Sequence, residues 1–191
     1  MAKTTTTEAK KASARPKTAP KETLGKSKPG HAASAASGLP EAGKKAPAFS
    51  LSADDSTTVS LKALAGRKVV LYFYPKDDTP GCTTEAIAFS ALKKKFDAAG
   101  AVVIGVSKDT VEKHSKFRDK HKLTVRLLSD EDGKTLEAYG VWAEKSLYGR
   151  KFMGIVRTTF LIDEKGVVRR VWPKVKVKDH AEEVLAAVKT L

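Results

Sequence analysis

Lys68-Val69-Val70-Leu71-Tyr72-Phe73-Tyr74 is a nearly continuous apolar run, rich in β-branched and aromatic residues, of strand length and stopped by Pro75. A strand with one face in water alternates polar and apolar side chains, whereas a continuous apolar run belongs in the interior of a sheet covered on both faces. The rest of the chain must therefore supply neighbouring strands and two covering layers. From Thr83 to about Ala99 the residues Phe89, Leu92 and Phe96 recur at helical spacing, and Gly100 stands where a helix C-terminal cap falls. Ala101 to Val106 predicts the next strand, and a second helix is expected near Asp109, which is spaced from Glu112 as in a capping box.

Strand and helix alternate, which defines a parallel β-α-β start. Further on, Arg157 to Ile162 and Val167 to Trp172 read as two strands joined by the turn Asp163-Glu164-Lys165-Gly166, and a last helix begins near Asp179. The expected class is α/β: a central mixed β-sheet with helices on both faces, in a thioredoxin-like layout.

Residues 1–40 stand apart. After Met1, Leu24 and Leu39 are the only large apolar side chains among Ala, Lys, Thr, Ser, Pro and Gly, too few to offset the entropy of ordering. The expected organisation is a disordered basic tail over 1–40 and one folded domain over 41–191. Eight Lys or Arg against two Glu give the tail about +6 of the formal net charge of +14, so the domain is basic as well. A solvated extension is the plainer reading of the tail; weak, sequence-independent contact with nucleic-acid phosphates is the alternative. No run approaches a membrane span and no apolar signal core follows Met1, so a cytoplasmic protein is expected, with nucleoid or nuclear association through the tail as its variant. One cysteine cannot make an internal disulfide, which fits a reducing compartment.

That cysteine, Cys82, lies where the buried strand gives way to a helix, after the loop Pro75-Lys76-Asp77-Asp78-Thr79-Pro80-Gly81. Unpaired backbone amides and the helix dipole at such a place favour an anion, and the thiolate is the reactive form of the thiol. A permanently charged cation nearby adds to this effect, and a lone Arg within a predicted strand, Arg157, is the candidate. The competing readings are a Cys packed as a small hydrophobe and an Arg facing water; spacing alone does not bring the two together.

Phe73-Tyr74-Pro75-Lys76 followed by Thr79-Pro80-Gly81-Cys82-Thr83 resembles the peroxidatic loop of peroxiredoxins. Leu128-Ser129-Asp130, Val141 to Ser146 and Arg157 to Asp163 are similar to the peroxiredoxin Q group, also called bacterioferritin comigratory proteins, and Ala46-Pro47-Ala48-Phe49 resembles its entry segment. The resemblance runs from about Gly43 to the C-terminus. It implies a thiol-dependent peroxidase acting on hydrogen peroxide and organic hydroperoxides, with no cofactor. It also implies that Cys82 is the nucleophile, that Thr79 hydrogen-bonds sulfur and peroxide, that Pro75 shields the thiolate, and that Arg157 polarises both reactants. Glu85 matches a position the family commonly gives to Glu or Gln, although one turn into a helix a dipole-compensating surface carboxylate is the preferred reading.

The chain departs from that group at Ile87, where many members carry a resolving cysteine; an aliphatic residue there reads as part of the helix's core-facing side. Regeneration is therefore expected from an external thiol, whether thioredoxin, glutaredoxin, a low-molecular-weight thiol or a second copy, with the protein a monomer or weak dimer. His31, His114, His121 and His180 show no metal-ligand spacing, and His114 and His121, seven apart on one helix, are expected at the surface. Lys174, Lys176 and Lys178 alternate as an exposed strand face would.

Overall fold

The computed structural model describes residues 38–147 and 149–191, so the tail reading, apart from Gly38 to Pro40, and His31 lie outside the described residues. Leu39, counted with the tail from the sequence, packs partly buried against the core. In chain order the domain runs β1 (Ser50–Ala53), β2 (Thr58–Ser60), a single 3-10 turn at Lys62–Leu64, β3 (Lys68–Phe73), α1 (Pro80–Ala98), β4 (Ala101–Ser107), α2 (Val111–His121) and β5 (Arg126–Ser129). It continues through α3 (Lys134–Ala138), β6 (Trp142–Leu147), β7 (Arg150–Ile155), β8 (Thr158–Ile162), β9 (Val168–Trp172) and α4 (His180–Lys189).

Seven strands form one mixed sheet in the order β2-β1-β5-β4-β3-β8-β9, while β6 and β7 make a separate hairpin. The parallel centre is β3, β4 and β5; β1 and β8 join it antiparallel on either side. As its unbroken apolar run demanded, β3 is buried on both faces. Val70 and Tyr72, with Tyr74 just beyond the strand, pack with Phe89 and Phe96 of α1, Phe117 of α2 and Val184, Leu185 and Val188 of α4. Val69, Leu71 and Phe73 face the other layer, with Phe49, Leu136 of α3, Tyr139, Val141, Ile155 and Phe160. The period of two along a strand thus divides one sequence run between two cores.

The expected elements are present, with local differences that have physical causes. Proline suits the first turn of a helix, so α1 starts at Pro80, three residues before the predicted onset. It ends at Ala98 because Gly100 takes a φ of +73°. Thr110, not Asp109, caps α2 by accepting from the Lys113 amide at 3.4 Å. Asp109 instead turns inward and accepts from the Asp77 amide and the Ser107 hydroxyl. Lys174, Lys176 and Lys178 are exposed as expected, but in a link between β9 and α4 rather than on a strand. Gly105 lies opposite Tyr72 in the β3–β4 register, and a Cβ there would stand 2.6 Å from the Tyr72 hydroxyl oxygen, so only glycine leaves room for that ring. Among the described residues no helix is long and apolar enough to cross a membrane.

Candidate active site

β3 ends at Phe73 and the loop through Thr79 delivers the chain to α1, with Cys82 as the third helical residue. The first helical bond of α1 runs from the Thr83 amide to the Thr79 carbonyl at 2.9 Å, so the Gly81 and Cys82 amides precede the hydrogen-bond ladder. Those amides put the positive end of a 19-residue helix beside the sulfur. Cys82 itself is only 2% exposed.

Arg157 reaches this place through strand register. β8 runs antiparallel to β3 and pairs Thr158 with Phe73, so the residue before β8 arrives where β3 gives way to the loop. Its carbonyl is tied down by the Val175 amide at 3.0 Å. From there Nη2 donates to Cys82 Sγ at 3.1 Å, and Nη1 donates to Glu85 Oε2 in a close ion pair. A Cβ on Gly81 would stand 3.4 Å from Nη2, an ordinary contact, so the guanidinium lies directly against the helix start. Arg157 belongs to the link before β8 rather than to the strand itself, but it is brought to Cys82 and does not face water.

Glu85 corrects the sequence reading. It is 1% exposed, and its spacing of three from Cys82 puts both on the helix face turned toward Arg157. Burial pushes its carboxyl up to about 7, against the pull of Arg157. For Arg157 burial works against the charge, and the facing Glu85 and Cys82 more than offset it, so the guanidinium is held above its ordinary value. Glu85 Oε1 and the Tyr72 hydroxyl are buried without a partner.

The remaining predicted residues divide. Thr79 is half-buried, and its hydroxyl donates to the Lys76 carbonyl at 3.0 Å rather than to the sulfur. Pro75 is exposed and borders a groove with Lys145, Trp142 and Phe152, all three from the hairpin of β6 and β7. Ile87 is 45% exposed and so does not extend the core side of α1. His114, expected at the surface, is fully buried and faces Asp77, whereas His121 sits near the surface against Asp78. Sequence reasoning missed the partners of both; their shared helix face was the available signal.

The arrangement can hold a sulfur anion and donate hydrogen bonds to oxygen atoms approaching it, which is what attack on a peroxide bond requires. The chain belongs to the AhpC/TSA family, whose model matches residues 42–171. A relative from Coxiella burnetii that bears the bcp name is 53% identical over 145 residues, 76% of this chain and 96% of the relative. Peroxiredoxin Bcp of Bacillus subtilis is 50% identical over 151 residues, 79% of this chain and 96% of its own. The solved bacterioferritin comigratory protein of Xanthomonas campestris superposes with a TM-score of 0.74 at 45% identity, covering 78% of this chain and 98% of that one. Within the family, then, this is a thiol-dependent peroxidase of the Bcp, or peroxiredoxin Q, group with a single cysteine.

Proposed function

We propose that Cys82 is the nucleophile that reduces hydrogen peroxide and organic hydroperoxides. The observation that carries this reading is the Arg157 Nη2 to Cys82 Sγ hydrogen bond of 3.1 Å at a helix N-terminus. An anionic sulfur there is met by a permanent cation and two free amides, and desolvation strengthens each of these interactions. The thiolate attacks one peroxide oxygen, the O–O bond breaks, and the departing alkoxide or hydroxide takes up a proton. Cys82 is left as the sulfenic acid, and the peroxide as alcohol or water.

Arg157 stabilises charge at both ends of that displacement, since its Nη2 lies against the sulfur from which charge departs toward oxygen. The Thr79 hydroxyl turns from the Lys76 carbonyl to the bound peroxide, and Pro75 limits water at the mouth of the loop. Alkyl hydroperoxides are included because the Xanthomonas campestris relative is described for alkyl peroxide reduction activity, with trapped intermediate and ligand complexes.

The sequence supplies no second thiol. An external thiol, from thioredoxin, glutaredoxin or a small molecule, attacks the sulfenic acid, releases water and forms a mixed disulfide. A second thiol then displaces Cys82 and leaves with the first as a disulfide. Stopped-flow peroxide consumption tests the reading: Cys82→Ser abolishes turnover with every thiol donor while the fold persists, and equal consumption by mutant and parent overturns it.

A further inference from the structure

The loop that carries the site is held by α2 at two depths. At the surface Asp78, with a left-handed φ of +60°, meets Lys120 and His121. Inside, Asp77 uses both carboxylate oxygens: the Tyr74 hydroxyl donates to Oδ1 at 2.7 Å, and His114 Nδ1 lies 2.7 Å from Oδ2. The Asp77 amide donates to Asp109 Oδ2 at 2.8 Å, just before α2. His114 Nε2 reaches the Leu128 carbonyl of β5 at 3.2 Å.

A carbonyl only accepts, so Nε2 carries a hydrogen, and a further proton lies between Nδ1 and Asp77. The result is a hydrogen-bonded His114–Asp77 pair whose members are 0% and 6% exposed at their side chains. The other ionisable groups around it are Tyr74, Asp109 and Lys113, whose Nζ stands 3.7 Å from Asp109 Oδ1. Breaking such a pair is costly because the polar atoms left behind are buried without a partner. Among the described residues neither His114 nor Asp77 is hydrogen-bonded to Cys82, so the peroxide chemistry does not call for the pair.

The two half-reactions of a one-cysteine peroxidase make opposite demands on the loop. Peroxide is small and is attacked most effectively when Thr79 and Arg157 are in place around Cys82, itself 2% exposed. The returning thiol is larger and must align its own sulfur with that of Cys82, which a closed loop opposes. We propose that His114 is a positioning residue: by bonding Asp77 and the Leu128 carbonyl it holds residues 75–79 closed over Cys82, favouring oxidation by peroxide over reduction by the external thiol. The kinetic part rests on the peroxidase reading; the clamp itself does not.

The test uses the full chain with His114→Gln and Asp77→Asn. Three quantities are measured: the single-turnover rate of Cys82 oxidation by hydroperoxide, the rate at which dithiothreitol reduces preformed sulfenic acid, and hydrogen exchange of the loop amides. Oxidation is expected to slow roughly tenfold, the factor produced by losing a buried hydrogen bond worth about 1.4 kcal/mol. Reduction is expected to quicken several-fold, and amides 76–79 to exchange faster while those of β3 and β4 keep their protection. Should His114→Gln weaken protection throughout β3 and β4, Asp77→Asn, which preserves volume and the Tyr74 bond, is read by the same criteria. Both half-reactions falling together, or loop exchange unchanged, overturns the proposal. If the parent protein shows no oxidation of Cys82 at all, the peroxidase reading fails, and the exchange contrast alone decides whether the clamp exists.

Discussion

Arg157 and Cys82, 75 residues apart in the chain, are joined by a 3.1 Å hydrogen bond from Nη2 to Sγ, while the other arm of the same guanidinium is held by Glu85. A planar fork serves two acceptors at once, and a lysine in its place reaches only one of them. Arg157→Lys is therefore expected to keep part of the charge effect and lose the geometry, and Arg157→Ala to lose both. Removing one preorganised donor of this kind slows chemistry about 10²-fold or more. Stopped-flow rates of the peroxide step, with far-ultraviolet circular dichroism to check the fold, measure the series.

Glu85 gives a pH dependence whose sign is fixed. Burial pushes its folded-state carboxyl up to about 7, against an ordinary value of 4.5, so the folded protein binds this proton more tightly than the unfolded chain does. The associated stability is complete below about 4.5 and is lost as the pH rises through about 7. Glu85→Gln removes that slope. Urea denaturation at pH 5 and pH 8 is expected to show the parent losing on the order of 3 kcal/mol more than the mutant between the two, as an upper bound. Parallel profiles contradict the assignment.

His180 slopes the other way. It is buried beside Phe89 and Trp172, with its Nε2 2.9 Å from the Thr159 hydroxyl oxygen. Burial lowers its imidazole to about 4, from an ordinary 6.5, so it folds as the neutral ring. Stability from this residue is present above about 6.5 and is lost as the pH falls through about 4. A His180→Asn variant is expected to show a weaker fall in thermal midpoint between pH 7 and pH 4, measured by calorimetry.

Much of the fold was legible because it depends on local patterns. The apolar run of β3 required burial on both faces, and the alternation of Val70 and Tyr72 with Val69 and Leu71 between two cores is its consequence. Gly100 marked the end of α1, whereas its start at Pro80 was read three residues late. The site was legible in part: a helix start fixed the setting of Cys82, whereas its meeting with Arg157 depends on the β3–β8 register, which no local pattern encodes. For the same reason Glu85 and His114 were read as surface groups. A charged residue on a helix ordinarily faces water, and only a partner from another element, Arg157 or Asp77, makes burial tolerable.

Phe89 measures how far the site depends on the core beneath it. It is fully buried on α1, stacked on Tyr72 at 4.8 Å between ring centroids and tilted against Phe96 at 5.9 Å. Phe89→Ala is expected to cost about 3–5 kcal/mol, through lost burial and the cavity left behind. That corresponds to a fall in thermal midpoint of roughly 10 °C for a domain of this size. Calorimetry of the two proteins checks it.

The most direct test of the central claim is intact-protein mass spectrometry after a single equivalent of hydroperoxide, followed over time beside a free thiol at the same pH. The prediction is one added oxygen, confined to Cys82, acquired far faster than by the free thiol, with that advantage lost in Arg157→Ala. An unmodified Cys82, or one that oxidises no faster than the free thiol with Arg157 in place, contradicts the account.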